Sequence, residues 1–477
     1  MVKQGYSRFL SLLEFFCDVV GIAMAFFLTQ HFFQTEIPST NQAFWFIAFL
    51  ILLIFFWNKL YDKHKTILNI EETRLILKSL ITAALIVFTL LFFSEESRNP
   101  DPTSHLSFLD KLRHHIFNAG FNKDLSRIEL LSAFVLMFPL IGSLRYFVFK
   151  LGQHLHRKGI GNDRVLIYGN EELARHLCEK IKQSPKSGYF LVGIIADKPL
   201  ENVNNEKIPY LGNAAQLETL CKEQHIDRLI VADANMNSDR LVEIMRLAEK
   251  IKVELEFVPA LHTLFVHRIR LRDIDGLPLI SLHNSSKSPL KKISKYLFDM
   301  ILSLLLLIIV SPLMLLIAIS IRLQKDGPVF FTQKRSGLNG KLFTVIKFRT
   351  MASDTKKYAP TPTSSNETRI TTLGKWLRRS SLDELPQLFN VLQGEMSLVG
   401  PRPEMSFITD KYGPLEKERL RIKPGITGLW QISADRQQQI HDNLDYDLYY
   451  IEHQSVLLDI VILMRTIFSV IRGIGSY

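Results

Sequence analysis

The sequence predicts a membrane protein that combines an N-terminal four-helix transmembrane bundle, a central parallel α/β domain, and a C-terminal α/β-type domain preceded by another long apolar helix. Three observations lead to this fold class. Long apolar segments cluster near the N-terminus, and strands then alternate with helices. After an uncharged apolar segment, the remaining chain is dense in basic and polar motifs. A length of 477 residues allows two or three domains.

Four N-terminal segments approach the roughly 20 apolar residues that a helix needs to cross the hydrocarbon core. They lie at 9–33, 43–60, 75–93 and 129–149. The first contains Glu14 and Asp18, which are costly in lipid unless they face the bundle or the interface. Basic residues flank the N-terminus, the second connection and the end of the fourth segment. The positive-inside rule therefore places both ends of the bundle in the cytoplasm.

The segment from about 160 to 285 has the pattern of a soluble α/β domain. Its predicted strands lie at 164–169, 189–197, 226–233 and 253–259, with helical patterns between them. This alternation predicts a parallel, Rossmann-like sheet. The residues after Gly169 lack the further glycines that bring a backbone close to a dinucleotide pyrophosphate. A structural or dimerising role is therefore favoured over a nucleotide site.

The uncharged segment 300–321 would run about 33 Å as a single helix. Ser311 and Pro312 lie near its middle, where a proline kinks a helix. Basic residues flank it on both sides, which favours a segment that enters and leaves the membrane on the cytoplasmic face. A straight fifth span is the alternative that the residues alone leave open. The later apolar run 456–470 is interrupted by Asp459 and Arg465, and we interpret it as an amphipathic interfacial or core helix.

The bulk composition excludes some classes of site and leaves others open. The three cysteines lie far apart, so neither a zinc site nor a disulfide framework is indicated. The net charge of +11 fits anionic lipid, nucleic acid or phosphate-rich substrates, and it equally fits plain solubility.

The segment 328–351 predicts a hairpin of strands with a turn at Gly337–Gly340. Its second strand ends on Lys347 and Arg349, and bases at a strand end beside a membrane segment can bind a phosphate. A solvated basic edge is the alternative interpretation.

The segment 377–404 holds two adjacent carboxylates among arginines. Ser381 and Glu384 have the spacing of a helix capping box, in which the acids would merely complement the helix dipole. Arg378 lies upstream and Arg402 downstream, and arginines beside a helix N-terminus make an anion site. Asp383 and Glu384 would repel an anion there unless they react with it or hold a metal. Phosphoryl chemistry uses carboxylates in both ways, to attack phosphorus and to hold Mg²⁺.

Three motifs carry a resemblance to a known family. SLDELPQL at 381–388, SLVGPRPE at 397–404 and PGITGLWQ at 424–431 follow the Ser-Pro-containing apolar helix in this order. Together they closely resemble the polyprenyl-phosphate sugar-1-phosphate transferases, the bacterial sugar transferase family that starts lipid-linked polysaccharide synthesis. The resemblance covers about 290–477. The preceding spans and α/β domain resemble the long form of the family, which acts with undecaprenyl phosphate and UDP-hexoses.

The resemblance implies roles for individual residues. Asp383 matches the family's nucleophile, and Glu384 matches the adjacent residue that holds Mg²⁺. Arg378 and Arg402 match arginines that bind phosphate. Lys347 and Arg349 match the family's basic strand, for which we expect substrate binding.

The resemblance also implies an arrangement in the membrane. Ser311 and Pro312 match the kink of a re-entrant membrane helix. The predicted division is 1–155 for the transmembrane helices, 156–285 for the Rossmann-like domain, 286–325 for the re-entrant helix and 326–477 for the catalytic domain. We expect a multi-pass protein of the bacterial inner membrane with its catalytic domain on the cytoplasmic face.

The implied reaction moves a sugar 1-phosphate from a UDP-sugar to undecaprenyl phosphate through a phosphosugar on Asp383, releasing UMP and initiating O-antigen, capsule or exopolysaccharide synthesis. The expected partners are these substrates, membrane lipid and a second copy of the chain, with no nucleic acid. Two rival classes are a nucleotide-binding membrane sensor or scaffold and a membrane hydrolase. Ala434 and Asp435 depart from the family's usual Gly-containing sequence, which leaves the nucleotide or sugar preference open.

Overall fold

The computed structural model describes residues 2–33, 42–61, 70–95, 127–169, 172–183, 188–196, 209–233, 236–258, 268–274, 277–283, 289–324, 327–352, 369–433 and 444–471. The chain divides into two compact units, Met1–Ala260 and Leu261–Tyr477. Residues 96–124, which connect the third and fourth predicted segments, and the family departure at 434–435 lie outside the described residues.

The first unit begins with the four predicted N-terminal helices, which the structure confirms. They are α1 (Val2–Phe33), α2 (Gln42–Trp57), α3 (Ile70–Glu95) and α4 (Arg127–Arg157). By length and composition α1, α3 and α4 can each cross a membrane, whereas the apolar part of α2 is shorter. Their buried apolar side chains form one core, to which Ile22, Phe55, Val87 and Ile141 contribute from the four helices.

A buried ion network explains how Asp18 is tolerated in α1. Arg145 of α4 donates from Nε and Nη2 to the two carboxylate oxygens of Asp18, at 2.7 and 2.6 Å. Its Nη1 donates to Glu72 at 2.7 Å, and the Tyr61 hydroxyl donates to Asp18 at 2.8 Å. Asp18 and Arg145 are both buried. A buried charge is tolerated when it is paired and hydrogen-bonded. Asp18 faces the interior of the bundle, which is one of the two placements that the sequence analysis allowed.

The parallel α/β domain of the first unit is also confirmed. Its elements are β1 (Asp163–Tyr168), α5 (Glu172–Gln183), β2 (Tyr189–Ile195), β3 (Tyr210–Gly212), α6 (Leu217–Glu223), β4 (Arg228–Val231), α7 (Ser238–Ile251) and β5 (Glu254–Phe257). The strands are parallel and lie in the order β3-β2-β1-β4-β5. Sequence reasoning missed β3, which has only three residues. Gly169 lets the end of β1 approach β4, because a Cβ there would lie 2.2 Å from the Ala232 carbonyl oxygen.

The second unit starts with a hairpin that the sequence did not predict, followed by the long apolar helix. The hairpin pairs β6 (Arg268–Ile274) with β7 (Leu277–His283) in antiparallel register. Helix α8 (Pro289–Leu323) continues through Ser311 and Pro312, so the proline does not end it. By length and composition α8 can cross a membrane. Its predicted re-entrant course stays a prediction.

One face of α8 contacts the C-terminal domain at both ends of its apolar segment. Near the start, Asp299 is buried and accepts hydrogen bonds from Ser397 and from the backbone N–H of Leu398. Near the end, Ile317 and Ile321 pack in one core with the hairpin strand that carries Lys347. Residues between these contacts, such as Ile308 and Ile309, remain exposed on other faces. A single stripe of α8 therefore faces the domain, while wide apolar surfaces face away from it.

The remaining elements build a small domain on this stripe. They are β8 (Phe330–Ser336), β9 (Leu342–Phe348), α9 (Thr372–Arg379), α10 (Gln387–Leu392), β10 (Ser397–Val399), α11 (Ser406–Thr409), β11 (Gly425–Thr427), α12 (Leu429–Ile432), α13 (Leu444–His453) and α14 (Val456–Ile471). Strands β8 and β9 form the predicted antiparallel hairpin with its turn at 337–340. Strands β10 and β11 pair in parallel. The run at 456–470 is helical, as predicted, and buries Asp459.

Candidate active site

The two central carboxylates lie in a short 3₁₀ turn rather than in a capped helix. Leu382–Glu384 forms this turn directly after α9, and the next helix begins only at Gln387. Ser381 has a φ of 54° and its side chain makes no capping hydrogen bond. The capping-box alternative is therefore wrong. An N-cap residue normally has an extended backbone, whereas the backbone of Ser381 is left-handed.

Hydrophobic contacts hold this turn against the membrane helix. Leu382 and Leu385 flank the carboxylates and pack on the cluster that contains Met314 and Ile317 of α8. Leu382, Asp383, Glu384 and Leu385 are all half-buried. The turn that carries the acidic pair therefore packs against the apolar helix α8, so the two carboxylates lie beside a lipid-compatible surface.

Basic side chains from two other elements reach the pair. Lys347, at the end of β9, donates from Nζ to Glu384 Oε1 at 2.6 Å. Arg378, in the last turn of α9, donates from Nε to the hydroxyl of Thr350 at 2.9 Å. Asp383 and Glu384 both act electrostatically on the Arg378 guanidinium. Four of the predicted site residues, from three segments of the sequence, are therefore neighbours.

The electrostatic environment makes Asp383 unusually basic for an aspartate. Burial, followed by the negative charge of Glu384, raises the pKa of Asp383 to about 6, against the opposing effect of Lys347 and Arg378. Burial penalises the charged carboxylate, and a like charge next to it does the same. At neutral pH the group is still ionised, and it is more basic than an exposed aspartate. Such perturbed carboxylates are characteristic of reactive sites.

Arg349 and Arg402 are the two remaining basic residues of the predicted site. Arg349 is buried at the end of the hairpin, where its backbone N–H donates to the Val329 carbonyl. Arg402 lines a pocket with Arg419, and Arg419 donates to its backbone carbonyl. Ser336, which pairs with Glu404, also lines that pocket.

The length of the β8–β9 hairpin shows how far the pocket lined by Arg402 lies from Lys347. Lys347 pairs with Phe331, and Ser336 lies five residues further along the same strand. At about 3.4 Å per residue, the backbone at the Arg402 pocket is about 17 Å along the hairpin from Lys347. The structure therefore places Arg402 away from the four clustered residues, at a distance that an extended ligand can span.

Sequence reasoning missed the residues that hold the site together. Asn390, fully buried in α10, accepts from the Ile346 N–H at 3.1 Å and donates to the Thr344 carbonyl at 2.8 Å, which fixes the Lys347 strand. Lys295 of α8 bridges Asp299 and Asp459 at 3.0 and 2.8 Å. Asn390 lies 44 residues from Ile346, and Asp459 lies in a different helix from Lys295, so no local pattern indicates these two contacts.

The donor set fits a hard divalent cation. Magnesium is held in enzymes by one or two carboxylates together with substrate phosphates and water. Asp383 and Glu384 supply adjacent carboxylates, and the described residues include no cluster of three or more His, Cys, Asp or Glu side chains that would hold a metal alone. A cation at this site would therefore depend on oxygens from a bound phosphate substrate.

Comparison with known proteins decides the family. Residues 290–473 match the family model described as bacterial sugar transferase. A UDP-glucose:undecaprenyl-phosphate glucose-1-phosphate transferase of Klebsiella pneumoniae is 32% identical over 350 residues, which cover 72% of this chain and 73% of that protein. The chain belongs to the bacterial sugar transferase family. The four clustered residues lie inside the matched region of this family.

Other relatives extend the similarity. The Escherichia coli (strain K12) protein of the same description is 31% identical, covering 66% of this chain and 69% of that protein. An undecaprenyl-phosphate galactose phosphotransferase of Salmonella typhimurium is 28% identical, covering 69% and 72%. Residues 114–259 match a model described as a CoA-binding domain, which agrees with an α/β domain in this part of the chain. The structural or dimerising role favoured for this domain stays a prediction.

Proposed function

We propose that this sugar transferase moves a hexose 1-phosphate from a UDP-hexose to undecaprenyl phosphate and releases UMP. The observation that carries the proposal is the cluster of Asp383, Glu384, Lys347 and Arg378 beside the apolar helix α8. Relatives that cover most of the chain are described as acting on UDP-glucose and undecaprenyl phosphate. The acceptor and donor classes are taken from these descriptions.

The proposed reaction has two displacements at one phosphorus atom. A carboxylate oxygen of Asp383 attacks the β-phosphorus, and the bond from that phosphorus to the bridging oxygen breaks. UMP leaves with that oxygen and the bonding electron pair, and the sugar phosphate remains on Asp383 as an acyl phosphate. A phosphate oxygen of undecaprenyl phosphate then attacks the same phosphorus. Asp383 leaves as a carboxylate, and the sugar is joined to the lipid through a diphosphate. Covalent catalysis of this kind lets a soluble donor and a lipid acceptor use one site in turn.

The neighbouring charges have separate roles in this scheme. The raised pKa of Asp383 makes its carboxylate a better electron-pair donor than an ordinary aspartate at neutral pH. Arg378 and Lys347 are positioned to bind phosphate oxygens and to stabilise the negative charge that develops during transfer. Glu384 and donor phosphates would hold Mg²⁺, which supplies charge neutralisation at the phosphoryl group.

The packing of α8 supports a re-entrant placement, which we propose to lie on the cytoplasmic face of the bacterial inner membrane. Asp299 and Ile321 both face the same polar domain, although they are 22 residues apart on the helix, or about 33 Å if it is straight. A helix that crossed about 30 Å of hydrocarbon would carry these contacts to opposite sides of the bilayer. We therefore infer that α8 lies in one leaflet, which brings Asp383 to the level of the lipid phosphates. The reaction then starts the lipid-linked assembly of a surface polysaccharide. The proposed homodimer would form through the α/β domain.

Release of UMP tests this function. The full chain, purified in nanodiscs, is incubated with Mg²⁺, undecaprenyl phosphate and each of a panel of UDP-sugars, with Asp383→Asn as the matched control. We expect lipid-linked product and UMP with one UDP-hexose, both lost in the variant and after chelation of Mg²⁺. Absence of release with every donor from folded protein would contradict the proposal and favour a sensor or scaffold. Continuous release without lipid would indicate a hydrolase.

A further inference from the structure

Thr350 lies between the hairpin and the helix that carries Arg378. It lies two residues after the end of β9 and is buried, with 6% of its surface exposed. Its hydroxyl oxygen accepts the hydrogen bond from Arg378 Nε at 2.9 Å. Its carbonyl oxygen accepts from the N–H of Thr371 at 3.0 Å. A single threonine thus contacts both ends of α9.

The backbone of α9 lies directly on this threonine. A Cβ on Gly374 would come within 2.1 Å of the Thr350 carbonyl oxygen, so glycine is required for this approach. The N-cap residue Thr371 accepts from the Gly374 N–H at 3.0 Å and donates to the Thr350 carbonyl at 3.4 Å. The first turn of α9 is therefore fixed to Thr350, and its last turn, with Arg378, follows in a defined orientation.

The hydrogen bond at Nε restricts how the guanidinium of Arg378 can turn. Arginine has several rotatable bonds, and holding its planar fork costs side-chain entropy. With Nε bound to Thr350, the terminal nitrogens Nη1 and Nη2 stay available to donate in parallel to two oxygens of a phosphate, which is the preferred geometry of arginine. The charges of Asp383 and Glu384 act on the same guanidinium.

We propose that Thr350 is a positioning residue that orients the guanidinium of Arg378 towards the diphosphate of the nucleotide donor. This inference rests on the proposed function for the identity of the donor. Thr350 itself touches neither the substrate nor the reacting atoms. It acts by holding Arg378 in the orientation that binds phosphate oxygens, so that this orientation exists before the donor arrives.

Three variants separate this role from a general effect on folding. Thr350→Val keeps the shape of the side chain and removes the hydroxyl, whereas Thr350→Ser keeps the hydroxyl. Thr344→Val, at an exposed position on β9, is the matched control. We expect Thr350→Val to raise the donor KM and weaken UDP binding by about tenfold, since the lost hydrogen bond involves a charged group. Thr350→Ser should restore both values, and the control should leave both unchanged. Loss of folded protein alone would lower kcat and leave KM unaltered.

A double-mutant cycle gives the decisive measurement. In an Arg378→Gln background, Thr350→Val should cause no further loss of UDP affinity, because the group that it positions is absent. Wild-type affinity in Thr350→Val, or an equal loss in both backgrounds, would overturn the inference. UDP titration calorimetry on full-length protein is independent of turnover. If the wild type binds UDP in this way but transfers no sugar phosphate, the proposed function fails while the role of Thr350 stands. If it binds no UDP, the inference fails as well.

Discussion

Two clusters of charged side chains, one in each unit, differ in how completely the charges are compensated. In the bundle, both oxygens of Asp18 accept from Arg145, and Tyr61 adds a third hydrogen bond. In the C-terminal domain, Lys347 donates to Glu384, and the neighbouring Asp383 keeps a pKa of about 6. Where every charge has a hydrogen-bonded partner, the network stabilises the packing of the helices and leaves no reactive group. Partial compensation leaves a basic carboxylate that can react, so the second cluster is the one suited to chemistry.

We expect the largest difference between the two clusters when the proposed nucleophile, Asp383, is replaced by a neutral residue. Asp383→Asn should lower the rate of sugar-phosphate transfer at least about a thousandfold, because the amide cannot form the acyl phosphate. Its melting temperature should equal or exceed that of the wild type, because removing a charge from a half-buried site relieves repulsion with Glu384. Rates from radiolabelled donor and thermal unfolding in nanodiscs measure the two quantities. Activity near the wild-type rate would remove Asp383 from the mechanism.

Substitutions in the Asp18–Arg145 network of the bundle should lower stability and leave the transfer rate unchanged. Arg145→Met leaves Asp18 buried without its partner and should destabilise the protein by about 3–5 kcal/mol. The double variant Asp18→Leu/Arg145→Met should cost less than Arg145→Met alone, because no uncompensated aspartate remains. Arg157→Met, at an exposed position in the same helix, is the control.

Unfolding in nanodiscs measures the stabilities, and the transfer rate per folded molecule should be unchanged in all three proteins. A double variant less stable than Arg145→Met alone would show that the network contributes more than compensation of charge.

A smaller effect is expected at the lysine of the reactive cluster. Lys347→Met removes the charge-assisted hydrogen bond to Glu384 and a positive charge near Asp383, and transfer should slow by roughly tenfold to a hundredfold. Lys334→Met, on the neighbouring strand with an exposed side chain, is the matched control. The measurement is kcat/KM for the UDP-hexose. Equal values for the two variants would mean that Lys347 contributes only surface charge.

The pH dependence gives the smallest expected effect. A carboxylate must be ionised to attack phosphorus, so the rate should fall as pH decreases through about 6, to about a tenth of the plateau at pH 5. The sign for stability is opposite. A raised pKa means that the folded state binds the proton more tightly than the unfolded state does. The contribution of Asp383 to folding stability therefore decreases as the pH rises from 3.8, the ordinary pKa of an aspartate, through about 6. A plateau that extends below pH 5 would contradict the environment described for Asp383.

The sequence predicted the parts of the fold that depend on local pattern. Apolar length predicted α1 to α4, and turn residues at Gly337 and Gly340 predicted the β8–β9 hairpin. The motif resemblance named Lys347, Arg378, Asp383 and Glu384, which the structure brings together. These features can be predicted because each depends on residues that are close in sequence, or on motifs that a family shares.

Other features depend on partners that a local pattern cannot show. The capping box, which the sequence offered as an alternative, is absent because the backbone at Ser381 has a positive φ, although the spacing of Ser381 and Glu384 fits a helix start. Asp18 finds its partner 127 residues away, and Asn390 binds a strand 44 residues away. Thr350 gives no signal in sequence beyond its place after a basic strand. Tertiary contacts alone reveal these roles.

The most direct test of the account is a single-turnover experiment without lipid acceptor. The full chain in nanodiscs is mixed with Mg²⁺ and an equimolar UDP-hexose identified by the panel, and UMP is measured together with the mass of the peptide that contains Asp383. The account predicts a burst of about one UMP per active site and a hexose phosphate on Asp383, which undecaprenyl phosphate then discharges. UMP that appears only after undecaprenyl phosphate is added, with no modified peptide, would contradict the covalent mechanism and indicate direct transfer between the two substrates.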